Sequence, residues 1–317
     1  MFSVLLILIG FVVLVYGANF LVDGASSFAA RFKVPNIVIG LTIVAFGTSA
    51  PELVVNTFAA VKGSTQIVLG NVVGSNIFNI AAILGIGSVI YPLTVKTNTT
   101  WIEIPLALLS AVVVLVMAND IFLNRATINV ITRSEGIILL FFFAIFLAYN
   151  IHVSVSNKTV DEVSVKNLTM AKSILLFLAG LIMLVVGGKL IVDHAVKLAR
   201  LIGISERVIA LTIVSVGTSL PELATSLIAI KKRNVDIAVG NVVGSNIFNL
   251  FFVLGISSTV SSVPINPDNQ IDLLVNIVMS MLLFLFIFTG KGRKLERWEG
   301  IILLLLYLIY LISLLYK

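Results

Sequence analysis

Gly70-Asn71-Val72-Val73-Gly74-Ser75-Asn76-Ile77-Phe78-Asn79 occurs a second time, unchanged, as Gly240-Asn241-Val242-Val243-Gly244-Ser245-Asn246-Ile247-Phe248-Asn249. The offset is 170 residues, and it holds outward from this string. Leu41-Thr42-Ile43-Val44 returns as Leu211-Thr212-Ile213-Val214, and Gly47-Thr48-Ser49-Ala50-Pro51-Glu52-Leu53 as Gly217-Thr218-Ser219-Leu220-Pro221-Glu222-Leu223. Asp23 matches Asp193, and Gly85 matches Gly255. A constant offset maintained over so long a stretch marks a duplication.

The surroundings of the repeats are apolar. The chain has 317 residues, 59% hydrophobic and 11% charged, with a mean hydropathy of +1.14. A soluble domain carries about 25% charged residues, and no water-bounded core absorbs this much apolar surface, so the solvent is lipid. With no cysteine there is neither a disulfide framework nor a thiolate metal site. The net charge of +6 sits in short loops between apolar runs, where it reads as a topology signal and not as a nucleic-acid surface. The opening run from Phe2 to Phe20 lacks the basic start of a leader peptide and has a counterpart later in the chain, so it reads as a retained helix.

Crossing about 30 Å of hydrocarbon takes about 20 apolar residues. Ten such runs lie near 2–20, 36–61, 66–91, 102–118, 134–151, 171–190, 206–230, 235–262, 271–289 and 298–316. The expected fold is an all-α polytopic membrane protein. Two five-helix repeats, 1–151 and 171–317, carry their motifs at 40–80 and 210–250 and are joined by a polar linker at 152–170. An even number of spans puts both termini on one side. The loops of the other side hold 13 of the 21 basic residues, which predicts a cell-membrane protein with both termini outside and the linker in the cytoplasm. Five spans per repeat is an odd number, so the second copy enters the membrane from the opposite face. Inverted repeats of this kind place an ion site near the midplane, where broken helices meet. Gly70-xxx-Gly74 and Gly240-xxx-Gly244 also suit close helix packing. Packing alone does not select glutamate, threonine, serine and asparagine in both copies.

Glu52 and Glu222 are the most informative residues. Each lies deep in an apolar span, and no lysine or arginine falls inside the repeat cores to neutralise it. An unpartnered carboxylate there costs at least about 2.5 kcal/mol, so an intramembrane acid marks a functional site, with a mobile cation as its counter-charge. Pro51 and Pro221 precede the glutamates and remove the helical bonds to the carbonyls of Gly47 and Gly217. Thr48 stands four residues before Glu52, Thr218 four before Glu222, Ser75 four before Asn79 and Ser245 four before Asn249, so each pair is expected on one helix face. The donor set is all oxygen, which suits Ca²⁺ and Na⁺; zinc or copper would call for histidine or cysteine.

The two strings resemble the alpha repeats of the calcium/cation antiporter superfamily, and are most similar to those of its prokaryotic sodium/calcium exchangers. The resemblance implies four cation sites between the second, third, seventh and eighth spans, where Ca²⁺ competes with Na⁺. Carried over residue by residue, it makes Glu52 and Glu222 shared ligands, with Thr48 and Thr218 beside them. Ser49, Ser75, Ser219 and Ser245 line sodium sites, Ala45 and Ser215 offer backbone carbonyls, and Asn79 and Asn249 flank the middle site. Some archaeal and all potassium-dependent relatives carry aspartate at the position of Asn249, so the amide here argues against potassium co-transport. The long regulatory loop of the animal proteins is absent.

The expected activity is antiport of Na⁺ against Ca²⁺ by alternating access, electrogenic at three to one, performed by a monomer without a cofactor. The spans that lack the buried acids, the first and sixth, are the expected moving parts. A proton/calcium antiporter and a passive cation channel are the competing readings. An enzyme is disfavoured, because the two histidines, His152 and His194, fall in or near polar stretches. Phe141 to Phe143 read as lipid-facing bulk, Trp101, Trp298 and Tyr316 as interfacial anchors, and Asp23 and Asp193 as structural acids near span ends.

Overall fold

The computed structural model describes residues 2–156, 168–201, 215–290 and 292–315. The chain is helical, and the helices that matter here are α1 (Phe2–Phe32), α2 (Asn36–Thr48), α3 (Ala50–Val61), α4 (Val68–Ile90), α5 (Thr99–Met117) and α6 (Arg133–Ser156). They are followed by α7 (Met170–Leu201), α8 (Ser215–Thr218), α9 (Leu220–Lys231), α10 (Val235–Val260), α11 (Pro267–Thr289) and α12 (Arg297–Leu315). Eight of these are long and apolar enough to cross a membrane alone. The pair α2 and α3, bent by 47° at its junction, meets the same length and hydropathy test when taken together. The predicted span at 206–230 is described only from Ser215 onward, and the recurring Leu211–Val214 lies outside the described residues.

Burial separates core from periphery. In α10, 94% of the most apolar window is buried inside the protein, against 28% in α1 and α7. The repeat motifs therefore form the centre, and α1 and α7 flank it. α1 and α7 run antiparallel, in contact along small residues. A Cβ on Gly10 would stand 3.0 Å from the Gly187 carbonyl oxygen, one on Gly17 3.0 Å from that of Gly180, and one on Gly24 2.8 Å from that of Ser173. Small residues let the backbones close in where lipid offers no hydrophobic drive. The same device serves the centre. A Cβ on Gly240 would meet the Ile37 carbonyl at 2.8 Å, so α10 crosses α2 there.

Several sequence expectations change. α1 and α7 continue well past the predicted ends near 20 and 190, because the alanine- and serine-rich stretch after Gly24, and its polar counterpart in α7, stay helical while packed on a neighbour. Asp23, Asp193 and His194 consequently lie within helices. His194 is buried in α7 and is not a loop residue. α6 runs on to Ser156, into the predicted linker. Phe141 is exposed as expected, but Phe142 stacks on Phe251 at 5.3 Å and Phe143 packs edge-on against Phe248 at 5.0 Å. Those two rings wedge α6 onto α10. Trp101 and Trp298 are exposed; Tyr316 lies outside the described residues.

The halves also exchange short strands. β1 (Leu93–Thr94) pairs antiparallel with β4 (Lys294–Leu295), and β2 (Val130–Ile131) with β3 (Val263–Pro264). Two ion pairs link elements: Lys232 reaches Asp23 of α1 at 2.9 Å, and Lys96 reaches Asp236 at 2.5 Å. None of these pairs involves a glutamate of the repeats.

Candidate cation site

The site begins at two breaks. Ser49 leaves the helical region at φ −84°, ψ 7°, and Ser219 does so at φ −89°, ψ 7°. Each break is followed by a new helix with proline in its first turn, where a missing amide hydrogen costs nothing. Glu52 and Glu222 therefore stand in the N-terminal turns of α3 and α9, where helix dipoles favour negative charge. Both carboxylates are buried, 0% and 1% exposed. Among the described residues no lysine or arginine pairs with either.

The hydroxyls cross between halves. Ser49 Oγ donates to Glu222 Oε1 at 2.8 Å, and Ser219 Oγ donates to Glu52 Oε1 at 3.1 Å. Ser245 Oγ donates to Glu222 Oε1 at 3.4 Å. Thr48 and Thr218 reach asparagines of the opposite half. The helix expected to carry both Thr48 and Glu52 is interrupted between them. The break at Ser49 separates them, and each threonine serves the opposite half. Thr48 Oγ1 donates to Asn241 Oδ1 at 3.0 Å, and Thr218 Oγ1 to Asn71 Oδ1 at 3.4 Å.

Several buried polar atoms remain unused, among them the donor Asn71 Nδ2 and a group of oxygens. Glu52 Oε2, Glu222 Oε2, Asn79 Oδ1, Asn249 Oδ1 and Ser75 Oγ are buried with no hydrogen-bond partner. Burying such groups unpaired costs about 1–3 kcal/mol each, more when charged. Gathered in the repeats, they make an oxygen-lined site matched to a hard cation. The carbonyl of Ala45 is occupied: it accepts from Ser49 N at 2.9 Å and from Thr48 Oγ1 at 3.3 Å. In the other copy Ser219 N donates to Val216 O at 3.2 Å, and Ser215 begins α8. Other buried acids are accounted for differently. Glu299 caps its helix by accepting from Glu296 N at 2.6 Å, and Glu103 accepts from the Tyr149 hydroxyl at 2.6 Å, with its Oε2 left buried and without a partner.

Asn79 opens a π-helical turn, Asn79–Leu84, and Asn249 sits in its counterpart, Phe248–Val253. Wider turns of this kind gather at functional positions. The family model for the sodium/calcium exchanger protein matches residues 2–152 and 172–316. The chain belongs to the sodium/calcium exchanger family. This exchanger is 35% identical over 308 residues to an uncharacterised membrane protein of Methanocaldococcus jannaschii, covering 97% of this chain and 96% of that one. It is 31% identical to the sodium/calcium exchanger MaX1 of Methanosarcina acetivorans, with 98% of each chain covered. Its fold matches the solved sodium-calcium exchanger NCX_Mj, soaked with Na⁺ and without Ca²⁺, at a TM-score of 0.84 and 35% identity over 98% of each chain.

A cleft lies beside the two helix breaks, while the glutamates themselves stay buried. This cleft of about 430 Å³ between α3 and α7 has Pro51, Gly217, Thr218 and Pro221 in its wall, next to both glutamates. Lys189 and Asp193 line it further out. Sequence reasoning missed Asn71, Asn76, Asn241 and Asn246. All four lie inside the string that recurs unchanged, so the signal was present but their partners were not.

Proposed function

We propose that this protein exchanges Na⁺ for Ca²⁺ across the cell membrane by alternating access, using Glu52 and Glu222 as the shared anionic ligands. The observation that carries this reading is the pair of buried carboxylates, each with one oxygen held by a hydroxyl of the opposite half and one oxygen free, and with no fixed cation beside them among the described residues. Two carboxylates are neutralised by one Ca²⁺ or by two Na⁺. A third Na⁺ leaves the loaded site at +1, so three-for-one exchange moves net charge, worth about 2.3 kcal/mol per 100 mV. An empty pair of ionised carboxylates is costly to enclose in a low-dielectric interior. That penalty discourages crossing without cargo and couples the two ions.

Ligands from Thr48, Thr218, Ser49, Ser219, Ser75, Ser245, Asn79 and Asn249 complete the reading, with the carbonyls of Ala45 and Ser215 joining after local rearrangement. Ten spans in two inverted repeats, a monomer, and termini on the outer side belong to the same proposal. It is supported by the 170-residue repeat and by the antiparallel course of α1 and α7, in which Gly10 matches Gly180 and Gly17 matches Gly187 at that same offset. The test is flux in proteoliposomes. Calcium uptake is expected to require an outward sodium gradient and to disappear in Glu52→Gln and in Glu222→Gln. Uptake that survives both changes removes the site. Uptake driven by a proton gradient without sodium assigns the same carboxylates to proton/calcium antiport.

A further inference from the structure

We propose that Asn76 and Asn246 are positioning residues that lock the side-chain amides of Asn79 and Asn249 with their oxygens toward the cation. This inference rests on the exchange reading above and deepens it.

The argument starts from two backbone carbonyls, which can only accept. Asn76 Nδ2 donates to the Asn246 carbonyl oxygen at 3.0 Å, and Asn246 Nδ2 donates to the Asn76 carbonyl oxygen at 3.3 Å. Each amide is thereby fixed: its NH₂ faces the backbone of the other half, so its Oδ1 must face away from it. An acceptor in that position demands a donor. Asn79 supplies it by giving Nδ2 to Asn246 Oδ1 at 3.0 Å, and Asn249 does so by giving Nδ2 to Asn76 Oδ1 at 3.0 Å. With both NH₂ groups committed, Asn79 Oδ1 and Asn249 Oδ1 are the ends left over, and both are buried without a partner. Four asparagines, none more than 2% exposed, form two relays that cross between the repeats.

The consequence is chemical. An asparagine amide is a donor at one end and an acceptor at the other, and the two ends have nearly the same shape. Free to rotate, Asn79 or Asn249 could turn its NH₂ toward the glutamates, bond them, and repel a cation. The relay forbids that rotation. It makes the middle of the site acceptor-only without adding charge. Cation affinity is thereby set by two residues that do not touch the cation. Partners of ligands commonly alter metal affinity by about 10–100-fold when removed.

The test compares two substitutions of one residue. Asn246→Leu removes the acceptor that holds Asn79; Asn246→Asp keeps an acceptor there, loses the donor and, when ionised, adds a negative charge. Ca²⁺ affinity, measured by calorimetry on purified full-length protein, is expected to fall about tenfold or more in Asn246→Leu. Asn246→Asp should retain it or strengthen it. Asn76→Leu and Asn76→Asp repeat the comparison through Asn249, should one position not tolerate change. A residue that merely packs would respond alike to both. Equal loss in the leucine and aspartate forms, or no loss in the leucine forms, overturns the proposal.

A second measurement needs no variant. With ¹³Cγ-labelled asparagine, the infrared side-chain carbonyl band is expected to shift when Ca²⁺ replaces K⁺ in the medium; an unmoved band overturns the proposal. Unsubstituted protein without sodium-dependent calcium flux sinks the exchange reading and this inference with it. Flux with an unmoved band sinks the inference alone.

Discussion

Serine at a buried position has two fates in this protein. Ser110 Oγ returns to its own helix, donating to Ala107 O at 2.7 Å, as hydroxyls in membrane helices commonly do. Ser49 and Ser219 instead reach the carboxylates of the opposite half. A hydrogen bond to a charged group contributes about 1.5–3 kcal/mol. Ser49→Ala and Ser219→Ala are therefore expected to weaken Ca²⁺ binding about tenfold or more. Ser110→Ala should leave it unchanged in the same calorimetric titration. Equal effects at all three positions would mean that burial, and not the crossed hydroxyls, matters.

Breaks and close approaches decide the elements. Pro51 has no amide hydrogen for the Gly47 carbonyl, and the chain bends by 47° between α2 and α3. Pro51→Ala restores that donor and favours one straighter helix. The expected outcome is a melting temperature in detergent equal to or above that of the parent, together with weaker Ca²⁺ binding, since Glu52 leaves its place in a first turn. At the α1–α7 contact the reverse holds. A Cβ on Gly180 would lie 2.6 Å from Leu21 N, so Gly180→Leu must force the helices apart. Overpacking of this kind costs about 1–3 kcal/mol, and a fall of several degrees in melting temperature should report it. The Asp23–Lys232 pair is partly exposed, and such pairs contribute about 0–1 kcal/mol. Asp23→Asn is accordingly expected to leave the melting temperature nearly unchanged.

The whole molecule is a duplicated chain whose copies are not in identical arrangements. Asp23 of the first copy is paired with Lys232, while its counterpart Asp193 is exposed beside the cleft between α3 and α7. The two acids, matched in the repeat, therefore stand in different surroundings. Charge makes the prediction for this scale. If three Na⁺ exchange for one Ca²⁺, a clamped potential of 100 mV supplies about 2.3 kcal/mol. The limiting calcium ratio across proteoliposomes should then shift by roughly fortyfold. A ratio indifferent to potential would mean electroneutral two-for-one exchange.

The duplication, the membrane setting, the two intramembrane glutamates and the prolines beside them were all legible in the sequence, because each departs from what lipid tolerates or chance repeats. Helix ends were less legible. The extensions of α1 and α7 are too polar to read as spans and are helical because a neighbour covers them. Partnership was not legible at all. Spacing paired Thr48 with Glu52, whereas folding joins Thr48 to Asn241 and Asn76 to Asn246. Hydrogen bonds between residues some 170 positions apart depend on how two copies are docked, and periodicity along one chain carries no record of that docking.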